Sequence, residues 1–288
     1  MQTCKQDLRD QGFCVVRNRF DRPTLEKVGS LCDVALESAT EKHRAMFKAQ
    51  GSLIDVLDFP DFAEIIAHPV VIALLDELGL PGAVFCSGSV FSKPPGAPSL
   101  HWHQDWWGWD DVGSYTDRIG QVNVMTYLSE TSPANGCLRV IPGSHRRHHP
   151  IHDRLPTDHQ AMARVDDPDH PLYRSCDGEH AVPVRVGDIV VADTRLLHST
   201  YANGSGEHRT MLSLCYNPNY AALPAEMRAR IETIFRRDWG NGSSGLALAQ
   251  WPEVQRKRIE SLIPPGADGT VPLGFNFSPR PELLAKSI

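Results

Sequence analysis

From Val84 onward the chain breaks into short runs of β-branched and apolar residues, each bounded by Gly, Pro, Asn or Ser. This punctuation constrains the fold more than any other feature. Residues 84–93, 119–128, 137–141, 182–186, 188–193 and 209–216 have the length and composition of strands. Strands that follow one another through turns pair antiparallel, which predicts a sandwich or jelly roll rather than a βαβ sheet.

The flanks have a different texture. Phe13 to Val16 is a short apolar run after a glycine and predicts a first strand. Asp21 and Pro23 are helix-start signals, and Leu25, Val28, Leu31, Cys32, Ala35 and Leu36 recur at helical spacing behind them. Residues 60–67 and 69–78 read as two short helices with Pro near each start, the second stopped by Gly79. Leu223, Met227, Ile231 and Ile234 mark an amphipathic helix beginning near Pro224. The tail after Ile263 is rich in Pro and Gly, with Phe275 and Phe277 in alternation, and is expected to be irregular and to pack back over the β core. The whole reads as one mainly β domain over 1–288, with N-terminal helices at about 21–79, the core at about 84–218, and a helix and tail at about 222–288. Residues 144–181 have no clear periodicity. Loops beyond about 12–15 residues are uncommon unless they serve a function, so this one reads as a lid.

Composition excludes several classes of partner. A formal charge of −6 argues against nucleic acid or an anionic membrane surface as the main partner, without selecting a substrate, because local charge can oppose the net. The seven cysteines are widely spaced, odd in number and without a Cys-x-x-Cys, so a disulfide framework is not expected and a reducing cytoplasm is. The first residues lack a basic-then-apolar signal pattern, and no apolar run approaches the roughly 20 residues that span a bilayer.

Chemistry concentrates at His101-Trp102-His103-Gln104-Asp105. On an extended segment, residues i and i+2 point the same way, so His103 and Asp105 face one point. His198, which follows the apolar run 189–193, is the best third ligand. Two imidazoles and a carboxylate cover one face of an octahedral ion, the donor set of non-haem iron(II). Asn203-Gly204-Ser205-Gly206 then turns the chain and returns Arg209, whose planar fork suits a carboxylate. His101 is the rival if one assigned ligand is wrong.

The sequence resembles the Fe(II)/2-oxoglutarate-dependent oxygenases, and within them the phytanoyl-CoA dioxygenase family. The resemblance covers about residues 10–220 and rests on Ser92-Lys93-Pro94-Pro95, His103-Gln104-Asp105, Asn135-Gly136-Cys137-Leu138, Ile141-Pro142-Gly143-Ser144-His145 and Val186-Gly187-Asp188, in that order. It implies a double-stranded β-helix, a cupin-like jelly roll with flanking helices. It implies iron(II) on His103, Asp105 and His198, and 2-oxoglutarate and O2 as cosubstrates. Arg209 becomes the partner of the distal 2-oxoglutarate carboxylate, and Thr200 assists it. Lys93 and Met125 match positions near the cosubstrate, and Asn123, on a strand face with Met125, is a candidate hydrogen-bond donor to the cosubstrate or else an inward polar residue serving only structure. The implied reaction is hydroxylation of a small metabolite or natural-product intermediate with release of succinate and CO2. Related halogenases lack the Asp105 carboxylate. Desaturation, epoxidation and ring formation stay open.

On the substrate side, Trp106, Trp107 and Trp109 read as a rigid apolar or cation-holding wall or, for two of the three, as ordinary core aromatics. His101 and His145 are candidate substrate contacts. His145, His148, His149 and His152 invite a second metal site, but no carboxylate or thiol accompanies them at strand or helix spacing, so substrate contact or solvation reads better. The alternative function is a cupin-like metal-dependent isomerase or hydrolase that uses no keto acid, with Arg209 binding a substrate acid.

Overall fold

The computed structural model describes residues 1–156, 169–236, 248–264 and 276–285. The side chain of Ile234, the residue Phe275 and the centre of the 144–181 loop lie outside the described residues.

Among the described residues, nine strands form two antiparallel sheets. The larger has the order β1-β7-β4-β9-β3-β2: β1 Phe13–Val16, β2 Ile54–Asp55, β3 Val84–Lys93, β4 Val122–Tyr127, β7 Ile189–Asp193 and β9 Arg209–Asn217. The smaller is β6-β5-β8, with β5 Leu138–Val140, β6 His180–Val182 and β8 His198–Thr200. Period-two alternation gives the large sheet two different faces. Val122, Val124, Ile189, Val191, Leu212, Leu214 and Tyr216 join the core shared with the helices. Met125, Tyr127, Val190, Ala192 and Met211 turn the other way and pack with Leu138 and Val140 of the small sheet. This is the double-sheet jelly roll that the strand pattern predicted, open rather than a closed barrel.

Helix α1 (Gln2–Gln11) buries only Leu8, which explains why its sequence shows no apolar stripe. Helix α2 (Arg22–Glu37) starts where Asp21 caps the Thr24 N–H at 2.9 Å and buries Val28, Leu31, Cys32 and Ala35. Helix α3 (Glu41–Met46) buries nothing and is held by its Thr40 cap, so periodicity could not announce it. The 60–67 helix is corrected to a 3-10 turn, Pro60–Phe62, leading into a short α4, Ala63–Ile66. Helix α5 (Pro69–Glu77) stops before Gly79, whose φ of 78° is left-handed. The strand expected at 182–186 is shifted to His180–Val182. Pro183 has no N–H to donate, so pairing with β5 ends at Val182. Helix α6 (Ala225–Arg236) and α7 (Glu253–Ile259) follow the β core.

The described tail does pack back. Asn276 bridges Gly108, and Ala285 bridges Arg147. The returning limb of the long loop is tied down as well: Leu172 O accepts from Trp102 N at 2.7 Å, and Arg139 donates to Tyr173 O and Glu179. No described helix is long and apolar enough to cross a membrane.

Candidate active site

A cavity of about 120 Å³ opens between the two sheets. Strand registers decide which side chains reach it. On β4 the inward positions are Asn123, Met125 and Tyr127; on β9 they are Arg209, Met211 and Ser213; on β8 they are His198 and Thr200. The segment after β3 carries His103 and Asp105 to the same space.

His103 and His198 form an antiparallel bridge, each backbone N–H donating to the other's carbonyl at 3.0 Å. Their rings stand with centroids 4.1 Å apart. Asp105 is pinned through its backbone N–H to Thr194 O at 2.9 Å. Its carboxylate lies 3.5 Å from His103 Nε2 and 3.4 Å from His198 Nε2. One donor atom from each of the three residues falls within 4.8 Å of the others.

The imidazole tautomers are decided by local backbone. His103 Nδ1 lies 2.9 Å from His101 O, and His198 Nδ1 lies 3.0 Å from Leu196 O. A carbonyl only accepts, so each Nδ1 carries a proton, which in the neutral imidazole leaves the Nε2 lone pair toward the cavity. This second-contact arrangement orients metal-binding histidines. The donor chemistry therefore suits a divalent transition ion.

At the other end of the cavity is buried positive charge. Arg209 is buried, and its Nε and Nη1 have no hydrogen-bond partner among the described residues. Burial depresses its pKa, with the facing Tyr127 and Cys137 opposing. Tyr127, 5.9 Å beneath the guanidinium, also has an unpartnered hydroxyl, and burial pushes its pKa up to about 12. Lys93 stands just behind the wall, donating to Pro98 O at 2.7 Å and Thr200 Oγ1 at 3.0 Å. Burial first, then Arg209 and Arg139, pull its pKa down to about 6.

The structure thus brings His103, Asp105, His198, Arg209, Thr200, Asn123 and Met125 to one cavity, with Lys93 against Thr200. Asn123 Nδ2 donates to Asp105 Oδ2 at 2.8 Å. The cavity wall does not include Trp106, Trp107, Trp109, His101 or His145. The three tryptophans belong to the hydrophobic core, where Trp106 Nε1 donates to Ser114 Oγ at 2.8 Å and the ring packs on Gly108 and Gly120. His101 is buried with its ring against His103 and Tyr173. His145 is buried on a separate surface pocket, its Nε2–H donating to Arg9 O at 3.0 Å.

The second histidine cluster is a hydrogen-bonded turn. His152 Nδ1 accepts from His149 N, His149 Nδ1 accepts from Ile151 N, and His149 Nε2–H donates to Asp177 O. These lone pairs are spent on the backbone. No described residue of the 144–181 loop lines the cavity.

Sequence reading missed Gln50, Leu53, Phe91, Leu100, Tyr127, Leu138, Met211 and Ser213 on the wall. Alternation could have found some: Tyr127 follows from Asn123 and Met125, and Met211 and Ser213 from Arg209. Gln50 and Leu53 arrive from the α3–β2 connection, which has no periodic signal.

Two facing antiparallel sheets holding a two-histidine, one-carboxylate donor set between them define a jelly-roll metalloprotein of the facial-triad type. The family model for phytanoyl-CoA dioxygenase (PhyH) matches residues 8–211. The chain belongs to that family. Phytanoyl-CoA dioxygenase 1 of Oryza sativa subsp. japonica is 32% identical over 139 residues, 46% of this chain and 43% of that protein. Ectoine dioxygenase of Sphingopyxis alaskensis is 27% identical over 125 residues, 41% of this chain and 40% of that protein. The matched part thus spans about two fifths of these relatives' length. Among solved structures, the non-heme alpha ketoglutarate dependent carbocyclase SnoK from nogalamycin biosynthesis superposes with a TM-score of 0.54 at 20% identity, covering 76% of this chain and 84% of its own. That likeness shows the shared fold.

Proposed function

We propose that this protein is an Fe(II)- and 2-oxoglutarate-dependent oxygenase that hydroxylates a small metabolite or natural-product intermediate, releasing succinate and CO2. Arg209 carries this reading: a buried guanidinium without a counter-ion among the described residues, on the wall of the cavity that also holds the triad. An unpaired buried charge costs several kcal/mol. A ligand carboxylate would offset that cost through a bidentate contact. A diacid with one end at the triad and the other at Arg209 satisfies both ends of the cavity.

In this reading His103, Asp105 and His198 hold the ferrous ion, which supplies dioxygen activation together with the keto acid when both are bound. Thr200 accepts from Lys93 Nζ, which leaves its own hydroxyl proton for the distal carboxylate beside Arg209. Met125 and Met211 make the apolar walls that exclude water. Leu53, Phe91, Leu100 and Gln50 line another part of the wall, which we assign to the substrate. The apolar lining suits a small organic molecule, and the similarity to a natural-product enzyme and to an ectoine dioxygenase supports the same class. A cytoplasmic location belongs to this reading, supported by seven unpaired cysteines.

Supplying Fe(II), 2-oxoglutarate and O2 should yield succinate, with a true substrate gaining one oxygen per succinate. Turnover of a substrate with metal alone, without O2 or 2-oxoglutarate, would replace this reading with the isomerase or hydrolase alternative.

A further inference from the structure

We infer that Asn123 is a positioning residue for the metal carboxylate, with its amide held in one orientation by the Cys215 thiol. This rests on the metal site proposed above. Asn123 and Cys215 are register partners across β4 and β9, so the pairing is built into the sheet. The Asp105 carboxylate only accepts, so the amide nitrogen must face it, and Nδ2 donates to Oδ2 at 2.8 Å. The amide oxygen then faces Cys215, whose Sγ–H donates to it at 2.9 Å. Cys215 is itself packed: Cys86 Sγ–H donates to the Cys215 carbonyl at 3.3 Å, and Gln121 Nε2 donates to Cys86 Sγ at 3.1 Å.

The result is a chain from the sheet interior to the metal carboxylate: thiol, amide, carboxylate. Asp105 is half-buried, and its backbone is fixed while its side chain would otherwise rotate. By engaging Oδ2, Asn123 fixes the plane of the carboxylate and leaves Oδ1 as the oxygen without an amide partner. Cys215 prevents the amide flip that would turn its oxygen against Asp105.

The test is Ni(II) calorimetry on the metal-free full chain, followed by 2-oxoglutarate titration at saturating Ni(II), with thermal unfolding as the folding control. Asn123→Leu should weaken Ni(II) by about 10–100-fold, the usual effect of removing an outer partner, and leave 2-oxoglutarate affinity unchanged. Cys215→Ala should weaken Ni(II) by a smaller factor, and Cys215→Ser, which keeps a donor, should restore it. Should Asn123→Leu fail to fold, the Cys215 pair carries the test alone. Unchanged Ni(II) affinity in Asn123→Leu, or identical affinities in Cys215→Ala and Cys215→Ser, overturns the inference. So does a variant that loses 2-oxoglutarate at saturating metal while keeping Ni(II), which would place the amide on the cosubstrate. A wild-type chain that binds no Ni(II) would instead overturn the metal site itself.

Discussion

Lys93 and Arg209 are register partners across β3 and β9, two buried basic side chains placed side by side at one end of the cavity, where burial and the Arg209 charge hold the Lys93 pKa down. A buried guanidinium whose Nε and Nη1 find no partner among the described residues is costly to the ligand-free fold. Arg209→Met should therefore raise the thermal stability of the ligand-free protein. The same change should weaken 2-oxoglutarate by about 1.5–3 kcal/mol, the usual worth of a charged hydrogen bond. Thermal unfolding and calorimetry with 2-oxoglutarate check the two halves. A variant that loses stability and keeps affinity would contradict the assignment.

The depressed Lys93 pKa, about 6, has a consequence for binding. Above that pH the amine is mostly neutral in the free protein, and an incoming dianion favours its protonated form. Binding should then take up protons, so affinity should fall as pH rises above about 6. Calorimetry in two buffers of different ionisation enthalpy measures the uptake directly. Lys93→Met should abolish it.

His145 and His152 are buried neutral, with burial the main cause holding their pKa values at about 4 and about 3. Their unfolded values are near 6.5, so between 6.5 and the folded values the unfolded chain binds more protons. Stability must fall as pH drops through that window. At pH 5 each contributes a loss of about 2 kcal/mol. Urea unfolding at pH 7 and pH 5 should show His145→Gln losing less stability on acidification than the wild type. Equal losses would argue against a buried neutral imidazole.

Trp106 is a packing residue with a tight tolerance. A Cβ on Gly120 would sit 2.6 Å from Trp106 Cη2. Gly120→Ala should cost about 1–3 kcal/mol by overpacking. Trp106→Ala should cost about 3–5 kcal/mol by leaving a cavity. Denaturant midpoints check both; a stable Trp106→Ala with altered substrate selectivity would return this indole to the substrate side.

Much of the fold was readable because strands advertise themselves through alternation and turns. Residues 84–93 were bounded correctly, and Asp21 with Pro23 placed the start of α2. What was not readable lacked an apolar stripe: α1 buries one side chain and α3 none. At the site, His103 and Asp105 share a direction because they are two residues apart, and the Gly-rich turn before Arg209 shows where the chain doubles back. The tryptophans fall on the core side of their two readings for a physical reason. Adjacency to a metal ligand in sequence does not fix which way a side chain points, and 106–109 turn into the helix-side core. The contact between Asn123 and Asp105 depends on a strand and a loop 18 residues apart, which spacing alone does not reveal.

The most direct test of the central claim is the anaerobic visible spectrum of the protein with Fe(II) and 2-oxoglutarate. The wild type should show a weak charge-transfer band from the chelated keto acid. Asp105→Ala, which removes a half-buried carboxylate from the proposed metal site, should lose the band while its thermal unfolding stays cooperative. A fully metallated wild type with no band, or an Asp105→Ala variant that keeps it, would contradict the account.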